Sequence, residues 1–207
     1  MIDASAALIV VDVQYSFMRG GSLAVPGGDE VVPIINALAK RFANVVLTQD
    51  WHPAAHGSFA SSHPGSQPFD TVTLHYGDQI LWPDHCVQGT DGARLHRDLD
   101  IPQAQLVLRK GYHRGVDSYS AFIEADGTTR TGLASYLRER GIASVYLCGL
   151  ATDFCVAWTA LDARKLGFSA AVIEDACRAI DTQGSLASAW ERMESAGVRR
   201  AHSTDLP

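Results

Sequence analysis

No run of lysine or arginine longer than two residues appears in the chain, and its 17 basic residues are outnumbered by 23 acidic ones, for a formal charge of -6. Neutralising a phosphate backbone takes clustered cations, so nucleic acid is not an expected partner. Long apolar runs are lacking as well. Stretches such as Ala6 to Val11 fall far short of the roughly 20 residues that cross a bilayer, and no membrane span is expected. Residues Met1 to Ser5 lead straight into an apolar run without a basic region or a small-residue cleavage site, which makes the cytoplasm the expected location. Cysteine is sparse: Cys86, Cys148, Cys155 and Cys177 are widely spaced. Without a CxxC pair there is no sign of a zinc knuckle or redox couple, and reduced thiols are the default. The first strand is also followed by no GxGxxG turn, which removes a dinucleotide-binding module from consideration.

What is present is enough apolar material for a sizeable core, 46% of residues against 19% charged, in a length of 207 residues that suits one domain over 1–207. Ala6 to Val13 is an unbroken apolar run of the kind found in strands buried on both faces. From Asp29, apolar residues recur helically through Val32, Ile35, Leu38, Ala39 and Phe42. Val45 to Thr48 reads as a second strand. Residues 49 to 77 then hold many of the prolines and histidines without clear periodicity, and a loop of that length is usually functional. Further strands are expected at Gln105 to Leu108, Ala143 to Leu147 and Ala170 to Ile173. Helices are expected at Thr131 to Arg140, Asp153 to Leu166 and Gln183 to Ser195. This alternation predicts an α/β fold: a single-domain three-layer sandwich with a central, mostly parallel sheet flanked by helices.

Ligands of open α/β sheets gather beyond the carboxyl ends of the strands. Asp12 ends the first predicted strand, Asp50 and His52 follow the second, Lys110 ends the third, and Cys155 follows the fourth at the start of a helix. Taken alone, Cys155 reads as a small buried hydrophobe. A helix start capped by Thr152 or Asp153 would instead lower the thiol's pKa and supply donors to an oxyanion beside it. An aspartate near 3.9 deprotonating a thiol near 8.5 faces a gap of about 4.6 units, or roughly 6 kcal/mol. Only a buried set closes that gap, with desolvation raising Asp12 and the Lys110 ammonium stabilising the thiolate. Asp50 and His52, two residues apart, share one side of an extended chain. With His85, in the turn Trp82-Pro83-Asp84-His85-Cys86, they offer a mixed N and O ligand set suited to one divalent ion, Zn2+, Fe2+ or Mn2+, with open positions left over.

The motifs Val11-Asp12-Val13-Gln14 with Phe17, Gly20 to Val25, Thr48-Gln49-Asp50-Trp51-His52-Pro53, Leu81 to Thr90, Lys110-Gly111, Asp117 to Phe122 and Gly149 to Val156 cover most of the chain. In them the sequence resembles the nicotinamidases of the isochorismatase-like cysteine hydrolases. That resemblance implies a catalytic triad of Asp12, Lys110 and Cys155, and metal ligation by Asp50, His52 and His85 with zinc as the first expectation. His56 stands near a further histidine that some members bring to the metal. It also implies a cis peptide at Leu150-Ala151, an oxyanion hole from the N-H groups of Ala151 and Cys155, and a pocket of Phe17, Leu23, Trp82, Tyr119, Leu150 and Ala151, with Phe154 as a further wall. The implied reaction converts nicotinamide to nicotinate and ammonia through a thioester, pyrazinamide being a second expected substrate, and a homo-oligomer is compatible with it. The rival reading is another amidase or an isochorismatase-type hydrolase of the same superfamily. A metal-free relative would have no use for Asp50, His52 and His85 on two separate loops.

Overall fold

The computed structural model describes residues 2–206. Its six-stranded sheet is formed by β1 (Ala6–Val11), β2 (Asn44–Asp50), β5 (Leu106–Lys110), β6 (Ser144–Leu150), β7 (Ser169–Arg178) and β8 (Arg199–Ala201). The strand order is β5-β2-β1-β6-β7-β8 and every neighbouring pair is parallel. All six residues of β1 are buried, because it lies between β2 and β6 with covered faces on both sides.

The chain leaves β1 toward β2 and β5, then returns to β6 on the other side of β1 and moves outward to β8. Right-handed crossovers in opposite directions put helices on opposite faces of the sheet. These are α1 (Val31–Ala39), α2 (Leu133–Glu139), α3 (Ala157–Lys165) and α4 (Ser185–Ser195). The reversal lies between β1 and β6, whose carboxyl ends lead into Asp12 and into residues 151–155. A crevice at that point is the natural ligand position of such a sheet. Gly149 lets the two strands close there: its φ is +114°, and a Cβ would stand 2.1 Å from the Val11 carbonyl oxygen.

Several boundaries differ from expectation. The first strand stops at Val11, and Asp12 turns out of it with φ 49°. The predicted helix from Asp153 begins as a π-helical turn over Thr152–Val156 before α3. Neither Thr152 nor Asp153 caps it. The Asp153 carboxylate instead accepts hydrogen bonds from the Ile180 and Asp181 amides and the Ser185 hydroxyl at 3.1, 2.8 and 2.6 Å, tying the β7–α4 loop to the crevice. The long second loop is also interrupted, by an antiparallel hairpin of β3 (Thr71–Leu74) and β4 (Gly77–Ile80) that stands outside the main sheet. No helix among the described residues is long and apolar enough to cross a membrane.

Candidate active site

Asp12, Asp50 and Lys110 sit at the ends of three adjacent strands, and the parallel register places Asp50 directly beside Lys110. The Lys110 side chain is wholly buried. A lysine in that position needs partners, and it has four. Its Nζ lies 2.9 Å from Asp12 Oδ2 and donates to Asp50 Oδ1 at 2.5 Å, to the Ser118 carbonyl at 2.8 Å and to Cys155 Sγ at 3.4 Å. The triad expected from the sequence is therefore brought together around one ammonium group.

Asp12 is held by Thr48, whose hydroxyl donates to Asp12 Oδ1 at 2.6 Å and lies 3.1 Å from the Asp12 amide. Its other oxygen, Oδ2, faces Lys110 as an ion pair without a well-aligned hydrogen bond, which leaves it open to a proton from elsewhere. Ligand atoms of Asp12, Asp50 and Cys155 lie within 4.8 Å of one another. Burial pushes the Asp12 carboxyl above the ordinary carboxylate range even against Lys110, as a base facing a thiol requires. Asp50 goes the other way: the Lys110 ammonium overcomes its burial and holds it well below that range.

The thiol departs from expectation. Burial, reinforced by the charges of Asp12 and Asp50, outweighs Lys110 and pushes Cys155 well above the usual thiol value, so the resting group is the protonated thiol. A helix terminus and one ammonium do not offset full burial beside two carboxylates. Proton removal by Asp12 is thus part of the chemistry and not a standing condition of the site.

The three expected metal ligands converge on one oxygen. His52 Nε2 and His85 Nε2 lie 3.5 and 3.6 Å from Asp50 Oδ2. Each ring is oriented through its other nitrogen, His52 Nδ1 to the Gly111 carbonyl at 2.9 Å and His85 Nδ1 to the Pro83 carbonyl at 2.8 Å. A carbonyl can only accept, so both Nδ1 atoms carry the proton and both Nε2 atoms present lone pairs. Two imidazole lone pairs and a carboxylate oxygen at this spacing fit a divalent cation. Gly111, with φ +68°, makes the arrangement possible, since a Cβ there would stand 2.5 Å from His52 Cε1.

His56 belongs to a neighbouring group with His52 and Asp117, and both its ring nitrogens have protein partners. Nδ1 meets the Ser58 hydroxyl at 2.8 Å, and Nε2 faces the carbonyls of His113 and Val116 at 3.0 and 3.2 Å. The structure places it against the His52 ring, 4.4 Å between centroids, as a latch on the 113–116 turn.

Phe17, Leu23, Trp82, Tyr119 and Phe154 wall a narrow cavity above Cys155, with Ala151, Asp50 and His85 also facing it. Trp82 and Phe154 meet edge to face at 4.8 Å. Leu150 does not line the cavity: its side chain is wholly buried in the core beside Gly28, because the strand's alternation turns it away. The Leu150-Ala151 peptide is cis.

Asp117 and Ile180 line the cavity and were not anticipated in that role. Nor was Gln14, whose amide brackets Asp50 by donating to its carbonyl and accepting from its N-H, both at 2.8 Å. The sequence carries Gln14 and Asp117 inside the quoted motifs, but nothing in their spacing says what they hold.

A family model described as "Isochorismatase domain" matches residues 6–205. A nicotinamidase of Acinetobacter baylyi is 60% identical over 202 residues, covering 98% of this chain and 94% of that protein. A solved structure of an Acinetobacter baumanii nicotinamidase and pyrazinamidase superposes with a TM-score of 0.98 at 61% identity, covering 99% of both chains. The pyrazinamidase of Pyrococcus horikoshii, solved in complex with zinc, superposes with a TM-score of 0.78 at 36% identity, covering 96% of this chain and 99% of that one.

Proposed function

The chain belongs to the isochorismatase family, and on that footing we propose that it is an amidohydrolase that converts nicotinamide to nicotinate and ammonia through a thioester on Cys155. The observation that carries this reading is the Lys110 ammonium set among Asp12, Asp50 and Cys155, of which Asp50 and Cys155 line an aromatic cavity. The full-length likeness to proteins named nicotinamidase supports the choice of amide.

A flat heteroaromatic ring suits walls made by Phe17, Trp82 and Tyr119, with Leu23 and Phe154 closing the sides. Asp12 Oδ2 removes the Cys155 proton, and the thiolate attacks the carboxamide carbon. The backbone N-H groups of Ala151 and Cys155 receive the oxyanion. Asp12 returns its proton to the nitrogen, the C-N bond breaks and ammonia leaves. Asp12 then takes a proton from water as the resulting hydroxide attacks the thioester, and collapse releases nicotinate and the thiol, reprotonated by Asp12. Lys110 stays an ammonium throughout, since the charges of Asp12 and Asp50 overcome its burial and raise it well above the ordinary lysine value.

Asp50, His52 and His85 would hold one divalent ion, which we take to be zinc in keeping with the zinc complex of the Pyrococcus horikoshii pyrazinamidase. When bound, it would supply a Lewis acid beside the aromatic cavity that Asp50 and His85 line. Pyrazinamide presents the same ring nitrogen and is a second substrate on this reading. The four free cysteines suit a cytoplasmic enzyme. Ammonia release from nicotinamide, with bound metal measured in parallel, tests the proposal. Turnover by wild type and none by Cys155→Ala is expected, and equal turnover by both contradicts the thioester.

A further inference from the structure

The β3–β4 hairpin is a two-stranded ribbon outside the main sheet, and such ribbons are marginal alone. Its residues are exposed or half-buried with one exception, the polar Gln79, which is 2% exposed. A buried amide is costly unless its polar atoms find partners, and those of Gln79 reach partners at both ends. Oε1 accepts from the Tyr76 hydroxyl at 3.0 Å, while Nε2 lies 2.6 Å from the Ile80 carbonyl, 2.9 Å from Asp117 Oδ2 and 2.9 Å from Tyr119 Oη. The same Tyr119 oxygen accepts the indole N-H of Trp82 at 2.9 Å.

Trp82 and Tyr119 come from different loops, one after β4 and the other after β5, and both wall the catalytic cavity. Gln79 does not line that cavity, and no hydrogen bond joins it to Asp12, Lys110 or Cys155 among the described residues. Tyr119 is kept a neutral phenol, pushed well above its ordinary value by burial and then by the Asp117 carboxylate. With two lone pairs, its oxygen serves as the common acceptor of an indole and an amide donor. Directional bonds at the polar tips of both rings fix their planes, which stand 87° apart, where packing alone would let them tilt.

We propose that Gln79 is a positioning residue that sets the aromatic slot by locking Tyr119 to Trp82 and to Asp117. The inference rests on reading the cavity as the pocket of a pyridine carboxamide. Gln79 acts on how firmly the ring is held and not on the bonds that break, so its loss moves KM and product affinity while leaving kcat in place.

The test compares wild type with Gln79→Met, which keeps an unbranched side chain of similar length and removes both hydrogen-bonding ends. Steady-state kinetics with nicotinamide should show KM raised about tenfold and kcat changed by less than about twofold. Calorimetric titration with nicotinate should show affinity weakened by about the same factor. In a Tyr119→Phe background the same substitution should add less than about twofold, because the phenol oxygen through which Gln79 acts is already gone. If Gln79→Met does not fold, Tyr76→Phe serves instead, with a shift of about threefold in KM in the same direction. A folded variant with unchanged KM and nicotinate affinity, a fall in kcat alone, or fully multiplicative effects in the Tyr119→Phe background overturns the proposal. A wild type that binds nicotinate but does not hydrolyse nicotinamide overturns the amidase reading only, and the nicotinate titration then decides on Gln79. A wild type that binds no nicotinate overturns both.

Discussion

Lys110 Nζ lies 3.4 Å from Cys155 Sγ while forming closer contacts with two carboxylates. The lysine is therefore the hinge of the site's electrostatics: it holds Asp12 and Asp50 together and is the one cation in the triad facing the developing thiolate. Replacing it with methionine leaves two buried carboxylates uncompensated. Lys110→Met should cost about 3–5 kcal/mol of stability if the chain still folds, and at least about 100-fold in kcat. Thermal unfolding and ammonia release read the two effects, and wild-type turnover in the variant would remove Lys110 from the chemistry.

The pH profile should be one-sided through the neutral range. Asp12 must be ionised to accept the thiol proton, and burial raises its pKa. Activity is therefore lost as pH falls through a value above the ordinary aspartate value of about 3.9. Cys155 and Lys110 are both pushed well above their usual values, so kcat/KM should stay level as pH rises past 8. An acid limb at or below the ordinary aspartate value, or an alkaline limb near neutrality, would assign the base elsewhere.

His85→Ala removes one of three donors around Asp50 Oδ2. Zinc affinity, measured by competition with a chromogenic chelator, should fall by far more than the 10- to 100-fold typical of an outer partner. Unchanged zinc binding would show that the ion sits elsewhere.

His56→Ala separates ligand from latch. Its Nε2 is directed at the carbonyls of His113 and Val116, near the Gly111 carbonyl that orients His52. Metal stoichiometry should stay at wild-type level with affinity lowered about tenfold, and the electronic spectrum of the cobalt-substituted protein should keep its intensity. A changed cobalt spectrum would instead make His56 a ligand.

Much of this site could be read in the chain because strand ends are legible. A buried run such as Ala6–Val11 stops where a charged residue follows, and parallel topology brings such ends together, so Asp12, Asp50, Lys110 and Cys155 are legible in the sequence itself. His85 was reachable because aromatic and proline neighbours mark its turn. The hairpin was hidden because its alternation of polar and apolar residues is confined to the four residues Thr71–Leu74, while in the partner strand Gly77–Ile80 the buried side chain is the polar Gln79. The short edge strand β8, three residues with two arginines, carries too little pattern to be seen. The thiol's raised pKa escaped for a different reason: it depends on the depth of burial and on the carboxylates beside it, neither of which residue spacing reports.

The central claim, that Cys155 carries the acyl group, is tested most directly by mixing the enzyme with nicotinamide, quenching in acid during turnover and measuring the mass of the peptide that contains Cys155. The account predicts a nicotinoyl adduct on that peptide in wild type and none in Cys155→Ala, which should also release no ammonia. An unmodified Cys155 peptide throughout turnover, together with ammonia release by Cys155→Ala, would contradict it.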